Sequence, residues 1–466
     1  MNKQKNPFFL IISIISVFMF SCPLYSLQPY SNNELEELEK EFVQQINQSD
    51  SVERNPLATQ YINHLGRELA RFAPISPPYF FIVKSIEINA FAGPGGYIGI
   101  NSQLILASDT ESELAAVMAH EIAHVRLHHL YRMLEHEKQM RVPMLASLLA
   151  AAALGAINPT LASGALMASL TGFAQDNINF TRASEKEADR IGIDMLKKAG
   201  FDPRGMAGFF KKMQQASRYY YTANIPAILR THPLDEDRIA EAENRSMNLK
   251  NQQYADHLDY HLFKELIRTS VVSDSKVLLD YYQHKCTKHT NPAACQYGHA
   301  LTMLNLNQFK QTEIELAPLL EKDKTNLFYQ ITMAQAETGN KQFDSALQRL
   351  KELQANYPEN YAVLMAYSQG LLAANKAEQA SALLLKGSRR FKSDLILCEV
   401  LARSQAAANH KALAYFTESK CQLMQGRHRD ALRQLQLVKT MAKNDPYLSA
   451  RTEALMEEIK FMISPD

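Results

Sequence analysis

His120-Glu121-Ile122-Ala123-His124 is the part of the chain whose residue types and spacing best suit chemistry. On a helix, residues four apart lie one turn apart on one face, so both imidazoles can bind a single zinc ion. Glu121 projects beside them, within reach of a water held there. Zinc lowers the pKa of such a water from about 15.7 toward ~7, and a neighbouring carboxylate can take its proton. The water can then attack a peptide carbonyl. The same five-residue pattern also arises by chance in helices whose histidines do nothing. Here it lies mid-helix in an apolar stretch, after a strand–turn–strand unit and in a chain with an export-like start. That setting favours the catalytic reading.

A catalytic zinc needs a third protein ligand and one open position. In the metzincin layout a glycine and then a third histidine follow the motif, but Leu127 and Leu130 hold those places. His128 is a further turn along, where a straight helix has drifted off the site, so His128 and His129 are expected to face solvent. Glu185, in Ser184-Glu185-Lys186-Glu187-Ala188-Asp189, is the better candidate. Glu185 and Asp189 share a helix face at i, i+4. Glu185 can ligate zinc while Asp189 accepts a hydrogen bond from a ligand histidine and fixes its tautomer. Acidic residues early in a helix also compensate its dipole. That account suits Glu187 better than Asp189, which lies deeper. Gly192 would let this helix approach the first.

The elements that must hold these residues can be read in outline. Residues 33–50 are acidic and amphipathic and predict a first helix. Tyr79-Phe-Phe-Ile-Val and Ser85-Ile-Glu-Ile-Asn alternate as strands, Ala92–Gly96 is a turn, and Tyr97-Ile-Gly-Ile100 is another strand, which makes a small sheet. Ser108 and Glu111 fit a capping box for a helix from about 109 to the late 130s. Residues 142–173 are nearly uncharged and predict two apolar helices, which could be core, a cover for the site or a peripheral membrane contact. A further helix opens near Ser184, with Glu187 completing a second box, and stops at Gly200 before Asp202-Pro203.

From about residue 262 the pattern is helical throughout, and a period shows in it. Phe309 and Phe343 are 34 apart, as are Thr312, Ala346 and Ala380, and Gly426–Ala431 repeats a similar local shape 51 residues beyond Ala380. A 34-residue period with a small residue between paired helices marks tetratricopeptide repeats. Such stacks present concave surfaces to protein partners.

With 466 residues, 46% of them hydrophobic and 21% charged, the chain is long enough for two or three folded domains. A formal net charge of +1 argues against nucleic acid as a partner. Lys3 and Lys5 precede an uncharged run from Phe8 to Phe20, with small residues at Ser21 and Ser26. The run is shorter than the ~18 residues of a spanning helix and predicts a cleaved signal peptide over 1–26, hence an exported protein. Phe20 fits badly before Cys22 as a lipoprotein acceptor, so lipid anchoring there is not expected. Cys286, Cys295, Cys398 and Cys421 remain, an even number that suits disulfides in an oxidising compartment. Unpaired thiols are the alternative, although Cys286 and Cys295 are close enough to bridge a helix–helix turn.

Three motifs taken together are specific. The His120–His124 motif, Arg182-Ala-Ser-Glu-Lys-Glu-Ala-Asp-Arg-Ile-Gly192 and Arg230-Thr-His-Pro-Leu-Asp-Glu-Asp-Arg238 resemble those of the gluzincin peptidases of the HtpX and CAAX prenyl protease type. The export signal and repeat tail resemble the periplasmic members of that family. The resemblance implies one zinc ion per subunit, held by His120, His124 and Glu185, with Glu121 as general base. It implies that His232 lies near the metal, either stabilising the oxyanion or filling the open zinc position at rest. Asn89-Ala-Phe-Ala and Gly95-Gly-Tyr-Ile match the family's strand before the active helix, and an extended substrate could pair there. It also implies stalled or unfolded outer-membrane β-barrel proteins as clients, with the repeats docking their assembly machinery. A chaperone or adaptor with little proteolysis is the alternative.

The expected fold is mainly α. A zincin-like α+β metallopeptidase domain with a small sheet (27–245) and a linker (246–262) would precede an all-α tetratricopeptide solenoid (263–462).

Overall fold

A computed structural model of the chain describes residues 31–136, 174–219, 226–247, 254–255, 257–286 and 291–463. The export segment 1–26 with Cys22 and the apolar stretch 142–173 lie outside these residues. Among the described residues no helix is long and apolar enough to cross a membrane. The fold class is as expected: a small sheet among helices, followed by helical hairpins.

Helix α1 (Asn32–Gln48) starts on a full capping box, with Ser31 and Glu34 satisfying each other's backbone N–H groups. Strand β1 (Val52–Glu53) leads to α2 (Pro56–Ala70), which Asn55 caps with Pro56 at its first turn. Strands β2 (Tyr79–Val83), β3 (Ala90–Ala92) and β4 (Tyr97–Asn101) complete a sheet of order β1-β2-β4-β3. Only β2 and β4 run parallel, with Phe80 opposite Ile98 and Ile82 opposite Ile100. Asn63 of α2 ties helix to sheet, since its amide donates to Phe80 O at 2.8 Å and accepts from Phe80 N at 2.9 Å.

Two expectations change here. Ser85–Asn89 is not a strand, because its backbone groups bond to scattered side-chain and backbone partners instead of a ladder. Ser102 Oγ donates to Ser85 O at 2.9 Å and accepts from Ser85 N at 3.1 Å. The first long helix also starts later. After α3 (Ser102–Ala107), Ser108 Oγ bonds back to Leu104 O, and Thr110 becomes the cap of α4 (Glu111–Arg126). The reciprocal partner is Glu113, which accepts from Asp109 N, while Glu111 accepts from Tyr61 Oη at 2.5 Å.

Helix α4 stops ten residues early. Leu127 closes it, His128 turns into the left-handed region at φ 53°, and α5 (His129–His136) starts in a new direction. A non-glycine residue held there costs about 1–2 kcal/mol. No glycine or proline announces the break.

Helix α6 (Ala174–Ala199) also differs from expectation, since it starts ten residues before Ser184. Ser184 and Glu187 therefore sit inside the helix and cap nothing. It ends at Gly200, φ 83°, as predicted. Helix α7 (Arg204–Tyr219) follows, then α8 (Ala227–Thr231) and α9 (Glu236–Ser246).

Helices α4 and α6 pack at close range. A Cβ on Gly192 would stand 3.2 Å from His120 N and 3.4 Å from Ala119 C, so hydrogen at that position sets the spacing. Gly205 does the same where α7 meets the start of α4.

The chain continues into helix Leu258–Val271, whose Phe263 is wholly buried and stacks on Tyr61 at 4.4 Å between ring centres. The apolar core thus runs unbroken from α2 and the sheet into the first repeat helices. The second helices of successive hairpins start at Phe309, Phe343, Ala377 and Lys411, each 34 residues after the last. Left-handed residues recur at the same interval: Asn307, Lys341, Asn375 and Asn409, at φ 58–65°. Each ends a helix in a Schellman turn, where the next N–H reaches five residues back, as from Gln342 N to Glu337 O at 2.8 Å. Thr312, Ala346 and Ala380 are buried between the paired helices. Ala431 belongs to the next helix, His428–Met441, so its 51-residue step is a repeat and a half. The four cysteines form Cys286–Cys295 and Cys398–Cys421 disulfides.

The close helix contacts give a direct test. A methyl group on Gly205 would lie 2.5 Å from Ser112 O. Gly205→Ala is expected to lower unfolding free energy by about 1–3 kcal/mol, because backbone must move to admit it. Denaturant unfolding that overlays the wild type would show that the two helices are not so closely apposed.

Candidate metal centre

The α4–α6 contact carries four donors to one point. His120 and His124 project from α4, Glu185 from α6, and His232 from the turn that ends α8. Their ligand atoms all lie within 4.8 Å of one another. The closer separations are nearly equal. His120 Nε2 and His124 Nε2 are 3.0 Å apart. Glu185 carboxylate oxygens stand 3.3 Å from each of these nitrogens. His232 Nδ1 lies 3.0 Å from Glu185 Oε1 and 3.3 Å from His120 Nε2. A tetrahedron around zinc with bonds of about 2.0–2.1 Å has edges of about 3.3 Å. The donor cage has the size and the nitrogen–oxygen chemistry of a zinc site.

Glu121 follows His120 on the helix and faces the same space. It is 1% exposed, and no hydrogen bond from the described residues reaches either of its oxygens. Its nearest charged neighbour is His232 Nε2, at 3.5 Å from Oε1. A buried carboxylate without donors is costly unless it has another task.

A second ring of contacts fixes the donors. Asp189, one turn beyond Glu185, stands 2.9 Å from His120 Nδ1. Arg238 from α9 donates to both Asp189 oxygens, at 2.7 and 2.9 Å, and lies 3.0 Å from Glu185 Oε2. Its remaining direction goes to Pro233 O at 2.6 Å, which ties down the His232 turn. Arg238 closes the third sequence motif, and these contacts tie that motif to the other two. The second ring around His124 was not anticipated. His129, expected in solvent, is buried, with Nδ1 2.9 Å from His124 Nδ1. His128 is the exposed one.

Electrostatics follow from the crowding. Burial alone would lower the His120 pKa, but Asp189 and Glu185 outweigh it and hold it at about 10. Burial would raise Glu185, yet His232, His120 and His124 bring it well below the usual carboxylate range. Asp189 is likewise lowered against its burial by His120 and Arg238. His124 is lowered, chiefly by burial. These partners keep Glu185 and Asp189 ionised inside the protein, where an unpaired charge would be prohibitive.

Comparison with known proteins agrees with this geometry. Peptidase family M48 matches residues 56–246, and a tetratricopeptide repeat family matches residues 338–396. The chain is 32% identical over 431 residues to the beta-barrel assembly-enhancing protease of Escherichia coli (strain K12), covering 90% of this chain and 86% of that protein. It is 38% identical over 293 residues to the putative beta-barrel assembly-enhancing protease of Vibrio cholerae, covering 62% of this chain and 60% of that one. A shorter likeness, 29% over 171 residues, links it to the metalloprotease LoiP of Escherichia coli, covering 36% of this chain and 63% of that protein. The donor cage and Glu121 fall within the matched span, and repeats follow it, so the chain belongs to peptidase family M48 as a metalloendopeptidase with a tetratricopeptide tail.

Proposed function

We propose that His120, His124 and Glu185 hold one zinc ion per subunit and that the chain cleaves β-barrel proteins that fail to assemble in the outer membrane. The observation that carries the chemistry is the cage of donors, all within 4.8 Å of one another with the closest 3.0–3.3 Å apart, beside a buried Glu121 with no hydrogen-bond partner among the described residues. Zinc, when bound, supplies Lewis acidity that acidifies a water and polarises a peptide carbonyl. The chain's own residues do the rest. Glu121 takes the proton of the attacking water and returns it to the departing amine. Its free lone pairs and dry surroundings suit both transfers. Asp189, locked by Arg238, stands 2.9 Å from His120 Nδ1, placed to take its hydrogen and keep Nε2 aimed inward.

His232 Nδ1 at the fourth corner supports the resting-ligand reading over oxyanion stabilisation. With His232 in place the donor set is closed, and the His232 turn must withdraw for a substrate to bind. A closed set of four ligands is also what purely structural zinc sites show. That single fact favours the second reading, an adaptor or chaperone with little proteolysis. Glu121 opposes it, since a structural site has no use for a buried carboxylate beside the ligands.

The names of the Escherichia coli and Vibrio cholerae relatives support β-barrel clients, and the repeats support docking to the outer-membrane assembly machinery. The export segment over 1–26 and the two disulfides fit the periplasm. The proposed division is a metallopeptidase part over 27–245, a linker over 246–262 and repeats over 263–462; the matches over 56–246 and 338–396 support a peptidase part followed by a repeat part.

Three substitutions test the reading. Glu121→Gln is expected to retain zinc while cleavage of an unfolded β-barrel substrate falls by about 10²–10⁴; undiminished degradation would refute the mechanism. Glu185→Ala is expected to lose zinc in elemental analysis, and a content equal to wild type would remove Glu185 from the site. His232→Ala is expected to keep its zinc and cleave at least as fast as wild type. A large drop in kcat with KM unchanged would instead assign His232 to the oxyanion.

A further inference from the structure

The two ligand histidines on α4 are supported in different ways. His120 has the Asp189 carboxylate behind it, at 2.9 Å from Nδ1. Behind His124 stands a third imidazole, His129, at the same distance. Nothing in the linear spacing brings His129 there. On an unbroken helix of 3.6 residues per turn, a residue five places on points about 140° away. The left-handed turn at His128 reverses that direction and folds the start of α5 back, so that His129 is buried against the outer edge of His124. The rings meet edge to face with centres 4.8 Å apart. Beyond it, His129 Nε2 faces Glu187 Oε2 at 3.7 Å, and that carboxylate is half exposed.

The chemistry of the pair fixes its tautomers. If His124 offers Nε2 to the cage, its Nδ1 carries the hydrogen and must donate. The nearest acceptor is His129 Nδ1, so His129 is neutral there, with its own hydrogen on Nε2 facing Glu187. We propose that His129 is the positioning residue for His124: a neutral imidazole acceptor that sets the tautomer and ring angle of the ligand. This rests on the zinc reading of the cage. It also explains why α4 ends in an unfavourable turn with no glycine: the break delivers an acceptor to a place no residue of a straight helix could reach. A neutral acceptor has a further merit. Glu121, Glu185 and Asp189 already bring three carboxylates to the centre, against the one guanidinium of Arg238.

The test is zinc affinity of the full chain, by competition with a chromogenic chelator, for wild type, His129→Phe, His129→Asn and Glu185→Ala. Phe keeps the ring and its packing but cannot accept; Asn places an amide oxygen near the position of Nδ1. The Phe variant is expected to bind zinc about 10–100-fold more weakly, and the Asn variant to stay close to wild type. Circular dichroism checks that each variant is folded, and His129→Leu replaces Phe if it is not. In zinc-bound protein labelled with ¹⁵N-histidine, His129 should show the neutral Nε2–H form. Equal affinity of the Phe variant and wild type, or equal losses in Phe and Asn, overturns the assignment. Glu185→Ala separates the two failures: if it loses zinc while Phe does not, only the role of His129 falls; if it too binds like wild type, the zinc cage itself is wrong.

Discussion

The close approach of α4 and α6 at Gly192 is the constraint on which the rest of the structure depends. Two helices that start some sixty residues apart must lie near enough for an imidazole and a carboxylate to share one centre. Alanines at positions 115, 116, 119 and 123, all fully buried, let α4 be surrounded closely. Gly192 removes the last obstacle where α6 crosses the backbone of His120. The same contact aligns Asp189 with His120, because Glu185 and Asp189 are one turn apart on the facing side of α6. Geometry set by backbone packing is stiff, and stiffness is what a site needs if its ligands are to be held to fractions of an ångström.

Burying Glu185 and Asp189 among the imidazoles of His120, His124 and His232 is possible because each carries the other's compensation. Arg238 is the cation that makes the second carboxylate affordable, and its cost of burial is offset by bidentate pairing and by the Phe210 ring 4.9 Å away. It also holds Pro233 O, so the residue that stabilises Asp189 is the one that anchors the His232 turn. Ligand orientation and closure of the fourth corner are thereby coupled through one side chain.

Much of this was legible in the sequence because it depends on local spacing. Residues four apart on a helix reveal themselves, which is why His120, His124, Glu185 and Asp189 could be named together. Gly200 and the 34-residue period were equally plain. What escaped depends on tertiary choices. Ser108 and Glu111 fit a capping box, yet Glu111 is claimed by Tyr61, and Thr110 takes the cap. Ser85–Asn89 alternates like a strand, but its backbone bonds to scattered partners. His129 could not be placed, because the helix break before it uses an ordinary histidine where a glycine would have served as a signal. The repeat turns hide in the same way: Asn and Lys hold the left-handed positions, so no row of glycines marks them.

The first helix of the chain reaches the far end of the repeats. Asn47 Nδ2 donates to Met424 O at 3.0 Å and Gln48 Nε2 to Gln425 O at 2.6 Å, both carbonyls at the end of a repeat helix. An open solenoid can gain or lose a unit during evolution, since each unit meets only its neighbours. Here one repeat helix ends against α1, which is not its neighbour in the stack. A whole unit added or deleted before that helix would carry those carbonyls away from α1.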